Sequence, residues 1–211
     1  MTTSYPYLRG WKLFWLCAVL TLITAGLALT TQTELSQRLL SAIRVTARTS
    51  FVLFFAAFIA SALAVLVPNG FTQGMLRERR YLGLAFAFSH LVHAILIITF
   101  GQVNTAFWPS RDFIANAPGT TAYVFILLMA ITSFKSPARL IGPKAWKALH
   151  LTGMWVITGV FGYAYFKRIP MEAWYTLPFG MICGAVAIRW VGKWAQSNKR
   201  YQLRTQQARA S

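Results

Sequence analysis

Three histidines are the side chains of this sequence best suited to chemistry: His90, His93 and His150. Each lies within or at the edge of an apolar run, and the i, i+3 spacing of His90 and His93 puts both imidazoles on one helix face, a turn apart. A polar ring at membrane depth faces the bundle and takes a partner, because solvating it in lipid is costly. Two uses follow. The rings can hydrogen-bond to Ser, Thr or carbonyl groups of neighbouring helices, or imidazoles from two helices can grip a haem iron, for which neutral ring nitrogen is a good ligand. Zinc suits the set less well, since a closed structural site needs a fourth ligand and no Cys or carboxylate stands close in sequence.

Little else offers chemistry. The four acidic residues, Glu34, Glu78, Asp112 and Glu172, fall in predicted loops or helix ends, which argues against a buried carboxylate relay. No phosphate-cradling glycine loop or hydrolase triad is present, so no catalytic residue is assigned. Cys17 and Cys183 sit in apolar segments without a CxxC partner and read as small apolar side chains. Aromatic residues near the histidines, among them Phe86, Trp146, Trp155 and Phe161, suit packing against a porphyrin but serve ordinary packing equally well.

The elements that position the histidines follow from composition. Of the 211 residues, 56% are apolar and 12% charged, too little charge to cover a water-soluble surface. The apolar residues come in runs long enough to cross a hydrocarbon core, at approximately 13–30, 50–67, 81–100, 121–134, 148–166 and 174–191. These predict an all-α integral membrane protein: one domain over 1–211, a bundle of about six transmembrane helices. The first run is too long, and lacks a small-residue cleavage site, for a removable signal peptide. The segment 32–48, with Leu39, Leu40, Ile43 and Val45 among polar residues, suggests a short amphipathic helix on the outer surface. The segment 101–120 reads as an irregular outer loop, and 194–211 as a basic, frayed cytoplasmic tail.

The net charge of +17 belongs to the flanks of these runs, where it sets orientation and meets anionic lipid headgroups; nucleic acid is not an expected partner. With the N-terminus inside, fifteen of the 21 basic residues fall on the inner side, leaving Arg38, Arg44, Arg48, Arg111, Lys167 and Arg168 outside. The asymmetry predicts both termini in the cytoplasm and a multi-pass protein of the bacterial inner membrane.

Three stretches resemble a known family. Arg79-Arg80-Tyr81-Leu82-Gly83-Leu84, leading into a helix that carries His93, is similar to an RRxLGL signature. Trp146-Lys147-Ala148-Leu149-His150 is similar to a WxxLH motif, and Thr46-Ala47-Arg48-Thr49 to a TGRT-like segment. Together they resemble the ferric-reductase-like transmembrane family, most closely its MsrQ-type haem-binding subunits of periplasmic methionine sulfoxide reductase systems, over most of the chain and in matching order. The chain departs from that pattern at Tyr163, where members carry a further histidine about thirteen residues beyond the WxxLH histidine.

The resemblance implies a haem b protein, with one or two haems, that moves electrons across the membrane as a subunit of an oxidoreductase system. A cytoplasmic flavin reductase or the quinone pool would donate and a periplasmic oxidoreductase accept; FMN or quinone is then a further candidate ligand, and Arg79 and Arg80 lie on the basic face that would meet it. By comparison with NADPH-oxidase-type relatives, His93 matches an outer ligand whose partner has become Tyr163, and His150 an inner one. From the helical rise, His150 lies about 5 Å inside the inner boundary, His90 about 15 Å and His93 about 20 Å. On depth, His90 pairs better with His150 than His93 does; a Tyr163 phenolate ligand and loss of haem are the alternatives. The rival expectation is a cofactor-free scaffold or partner subunit with structural histidines. Transport ranks below both, for want of an inverted repeat.

Overall fold

A computed structural model describes residues 9–109 and 112–210. Arg111, assigned above to the outer side, lies outside the described residues, as do the side chains of Arg200, Arg204 and Arg209. The six apolar runs appear in order as six long helices: α1 (Trp11–Leu29), α2 (Leu35–Leu66), α3 (Gly70–Val103), α4 (Phe113–Ile131), α5 (Lys135–Phe166) and α6 (Thr176–Ala210). A 3-10 turn at Ala173–Tyr175 leads into the last, and no strand occurs among the described residues.

The helices outrun the apolar segments, for local reasons. Pro68 pushes Val67 out of helical conformation, to φ −130 and ψ 74, and ends α2. Asn69 then starts α3 through a capping box: its side chain accepts from the Thr72 amide at 2.9 Å while Thr72 Oγ1 accepts from the Asn69 amide at 3.1 Å. At the other end of α2, buried Leu39, Ala42 and Thr46 continue the stripe of Ser50, Phe54 and Phe58 without a break. The expected surface helix over 32–48 is therefore the opening of α2. Asp112 caps α4, which takes over much of the expected 101–120 loop. The tail beyond Lys193, expected to fray, continues α6 to Ala210.

By length and apolarity α1, α2, α3 and Ala173–Lys199 each qualify as a membrane span, and α4 with α5 qualifies as a pair bent by 112°, so four to five candidate spans make up an all-α membrane bundle. A second break lies within α5. Gly142, at φ 75 in the left-handed region that glycine tolerates, precedes Pro143 and breaks the helix between a basic first segment and an apolar second one.

Contacts fix the helix directions. Gln73 meets Ala64, Arg79 meets Ala57 and Ser89 meets Ser50, so α2 and α3 form an antiparallel hairpin. Met129 faces Gly153 and Thr132 faces His150, so α4 runs antiparallel to the second segment of α5. Trp11 against Tyr81 and Phe14 against Phe88 set α1 parallel to α3. Arg189 against Phe58 and Gly192 against Ala62 set α6 parallel to α2. One end of the bundle thus gathers the starts of α1, α3 and α5, the ends of α2 and α4, and the basic half of α6. The core is aromatic, built on Phe51, Phe54, Phe58, Phe86 and Phe161.

Lipid tails are as apolar as a core, so packing and not burial from water holds such helices together. At Gly192 α6 packs tightly on α2: a Cβ there would stand 3.1 Å from the Ala62 Cβ and 3.2 Å from its Cα. Gly192→Leu is expected to cost about 1–3 kcal/mol by overpacking. Gly26→Leu, at a site with nothing within 4 Å, should cost nothing measurable. Unfolding midpoints in detergent compare the two.

Candidate functional site

A cavity of about 580 Å³ opens where the ends of α2 and α4 meet the starts of α3 and α5. Phe54, Phe58, Phe86, Ile126, Met129 and Ile157 make its wall apolar, while Arg79, Arg80, Lys135, Lys147 and Arg189 supply positive charge. His150 is the histidine that lines it. Two of the cations are held inward. Arg79 donates through Nε to the Ala57 carbonyl at 3.0 Å and through Nη2 to Met154 Sδ at 2.6 Å, joining α3 to α2 and α5. Arg189 donates to the Phe58 carbonyl at 2.6 Å and lies 4.5 Å over the Phe58 ring, a cation–π contact.

Thr132, the C-cap of α4, fastens the Trp146–His150 pair. Its carbonyl accepts from Trp146 Nε1 at 2.9 Å and its hydroxyl lies 3.0 Å from His150 Nε2. The Trp146 and His150 rings stack with centroids 4.3 Å apart. The hydroxyl has one proton, already donated to the Leu128 carbonyl at 2.7 Å. It therefore accepts from His150 Nε2–H, and the ring's lone pair lies at Nδ1.

The same logic at Thr46 gives the opposite tautomer. Thr46 Oγ1 donates to the Ala42 carbonyl at 2.8 Å and lies 3.0 Å from His93 Nδ1, so it accepts from Nδ1–H and leaves the lone pair on Nε2. That is the arrangement by which an outer partner prepares a histidine as a metal ligand.

His90 Nδ1 has no such partner among the described residues. It is buried without a hydrogen bond, and so is the hydroxyl of Tyr123 on α4. The His90 ring centre lies 5.3 Å from that of His93, 5.0 Å from Tyr123, 5.3 Å from Phe86 and 5.9 Å from Phe161.

The three histidines do not converge. Phe161, which His90 touches, lies eleven residues beyond His150 on α5, about 16 Å along the helix. The depth-matched pair of His90 with His150 is thus not brought together, and neither is His93 with Tyr163. Tyr163 is 55% exposed, with Lys167 5.2 Å over its ring, on the outside of the bundle. Among the described residues no three His, Cys, Asp or Glu side chains gather as a metal cage. Sequence reasoning missed Tyr123, and it quoted Thr46 only as part of a motif. Nothing in the residues before helix register is known distinguishes Tyr123 from the other aromatics.

The tautomers are directly testable. Long-range proton–nitrogen correlation spectra of histidine-labelled protein should show His93 with its proton on Nδ1 and His150 with its proton on Nε2. Thr46→Val should release the first into a mixture and leave the second unchanged.

No curated protein and no solved structure matches the chain. A family model, however, matches residues 42–161, more than half of the 211, and takes in the Thr46–His93 pair, the Arg79–Arg80 pair and the Trp146–His150 pair. The chain belongs to the family of ferric reductase like transmembrane components.

Proposed function

We propose that this chain is a haem b electron-transfer subunit of an oxidoreductase system, conducting electrons between partners on opposite sides of a bacterial inner membrane. The observation that carries the reading is the cavity: apolar walls, one imidazole and a cationic rim suit a flat apolar macrocycle with carboxylates at its edge. The donor set fits a single haem: His150 would supply the one protein imidazole, Arg79, Arg80 and Lys147 would balance its carboxylates, and Phe54 and Phe58 would help exclude water. Haem bound there supplies reversible one-electron chemistry.

The chain's own residues do the rest. Thr132 and Trp146 hold the His150 ring in place, and the Arg79 bridge fixes the cavity wall at a site where a loose guanidinium would otherwise draw in water. Basic side chains gather at this end, among them Arg77, Arg80, Lys144 and Lys147. That supports a cytoplasmic orientation for it and for both termini, and docking there of an acidic flavin reductase, or binding of FMN or quinol, as electron source. A periplasmic oxidoreductase, as in MsrQ-type systems, would take the electron at the far end.

A second reading has its own observation. His93 and His150 already have threonine partners, which is what a cofactor-free scaffold with structural histidines requires.

Spectra separate the two. Full-length protein purified in detergent from haem-supplied cells should give a sharp reduced α-band of b type and one haem per chain by pyridine haemochrome. His150→Ala should reduce the haem content at least tenfold, and Tyr163→Phe should leave it unchanged. A colourless wild-type protein ends the haem reading and leaves the scaffold.

A further inference from the structure

The unpartnered pair in the middle of the bundle asks for an occupant. A buried polar group without a hydrogen bond costs about 1–3 kcal/mol, and here two of them, His90 Nδ1 and the Tyr123 hydroxyl, come from adjacent helices whose rings stand 5.0 Å apart. In hydrocarbon no water from outside relieves them.

The occupant is small. Imidazoles bound through nitrogen at about 2.0–2.1 Å have ring centres about 3.2 Å from the metal, so trans ligands on a macrocycle's iron stand roughly 6.4 Å apart. The His90 and His93 rings are 5.3 Å apart, and Phe86 and Phe161 close around His90 at 5.3 and 5.9 Å. No macrocycle enters between such rings. The same 5.3 Å separation, with both rings on one ion, subtends an angle of about 110° at that ion, the tetrahedral value.

We propose that His90, His93 and Tyr123 form a binding site for one first-row transition-metal ion, separate from the cavity at His150. Each donor is suited to the task. His90 Nδ1 has no other partner. His93 has its proton held at Nδ1 by Thr46, so Nε2 carries the lone pair. The phenol of Tyr123 loses its proton to the medium on binding, gives the site an anionic oxygen and offsets one charge of the ion; no carboxylate is at hand to do so, since Glu34, Asp112 and Glu172 are N-cap residues and Glu78, inside α3, accepts from the Gly10 amide. Two imidazoles and a phenolate form a nitrogen and oxygen set, and among divalent first-row ions copper(II) binds such sets most tightly.

The site does not rest on haem at His150, and the test keeps them apart. Full-length protein, stripped with chelator in detergent, is titrated with copper(II). Bound copper is counted by mass spectrometry, nitrogen ligands by electron paramagnetic resonance, and the phenolate-to-copper band by absorption. One copper per chain is expected, with two nitrogen couplings and a charge-transfer band. Tyr123→Phe should abolish the band and weaken binding at least tenfold. His90→Gln should remove one nitrogen coupling, and Thr46→Val, nearly isosteric, should weaken binding ten- to hundredfold as for other outer partners of metal ligands. His150→Ala should retain the copper whether or not it retains haem. Less than about a tenth of an equivalent bound shows that water alone occupies the site and overturns the proposal. Stoichiometric binding indifferent to Tyr123→Phe and His90→Gln shows adventitious copper elsewhere and overturns it equally.

Discussion

A threonine hydroxyl has one proton to give, and within this bundle both Thr46 and Thr132 give it to a carbonyl of their own helix. What remains is an acceptor, fixed in place by backbone geometry, that faces a histidine. In water such a contact would compete with solvent; among apolar side chains it decides which ring nitrogen bears hydrogen. The two histidines nearest the ends of the site are therefore set by hydroxyls that are themselves set by helical hydrogen bonding. His90, lacking a counterpart, is the exception that draws attention to its surroundings.

That constraint depends on register, and register depends on the α2–α3 hairpin. The turn over 67–69 allows α3 to run back along α2 with no slack, so Ser50–Ser89 and Thr46–His93 fall into contact one after the other. At the opposite end Arg79 spans α2, α3 and α5. Hydroxyls such as those of Thr21, Thr99 and Thr158 are satisfied by a carbonyl of their own helix, whereas the guanidiniums of Arg79 and Arg189 find their partners on a neighbour.

The number and order of helices were legible in the sequence because apolar runs of this length leave few alternatives. Their ends were not. The amphipathic stretch 32–48 has a real apolar stripe, but whether it lies on the membrane or opens α2 is decided by the continuity of Leu39, Ala42 and Thr46 with the buried face below. Gly142-Pro143 carries a breaker signal, and it divides α5. Residues of the motifs meet in space: Trp146 and His150 both meet Thr132, and Thr46 meets His93. Depth arithmetic on separate helices placed His90 opposite His150. It could not see which α5 residue faces α3 at that level, and that residue is Phe161. Tyr163, prominent by comparison with relatives, turns outward, while Tyr123, prominent for nothing in the sequence, turns in.

The length of α6 has a mechanical consequence. Its 35 residues make a rod of about 52 Å, some 20 Å longer than the hydrocarbon is thick. A surplus of that size exceeds two screening lengths at physiological salt. If the rod starts at one face of the hydrocarbon and runs along the membrane normal, its far end stands outside the ionic atmosphere of the headgroups, as at the tip of a mast.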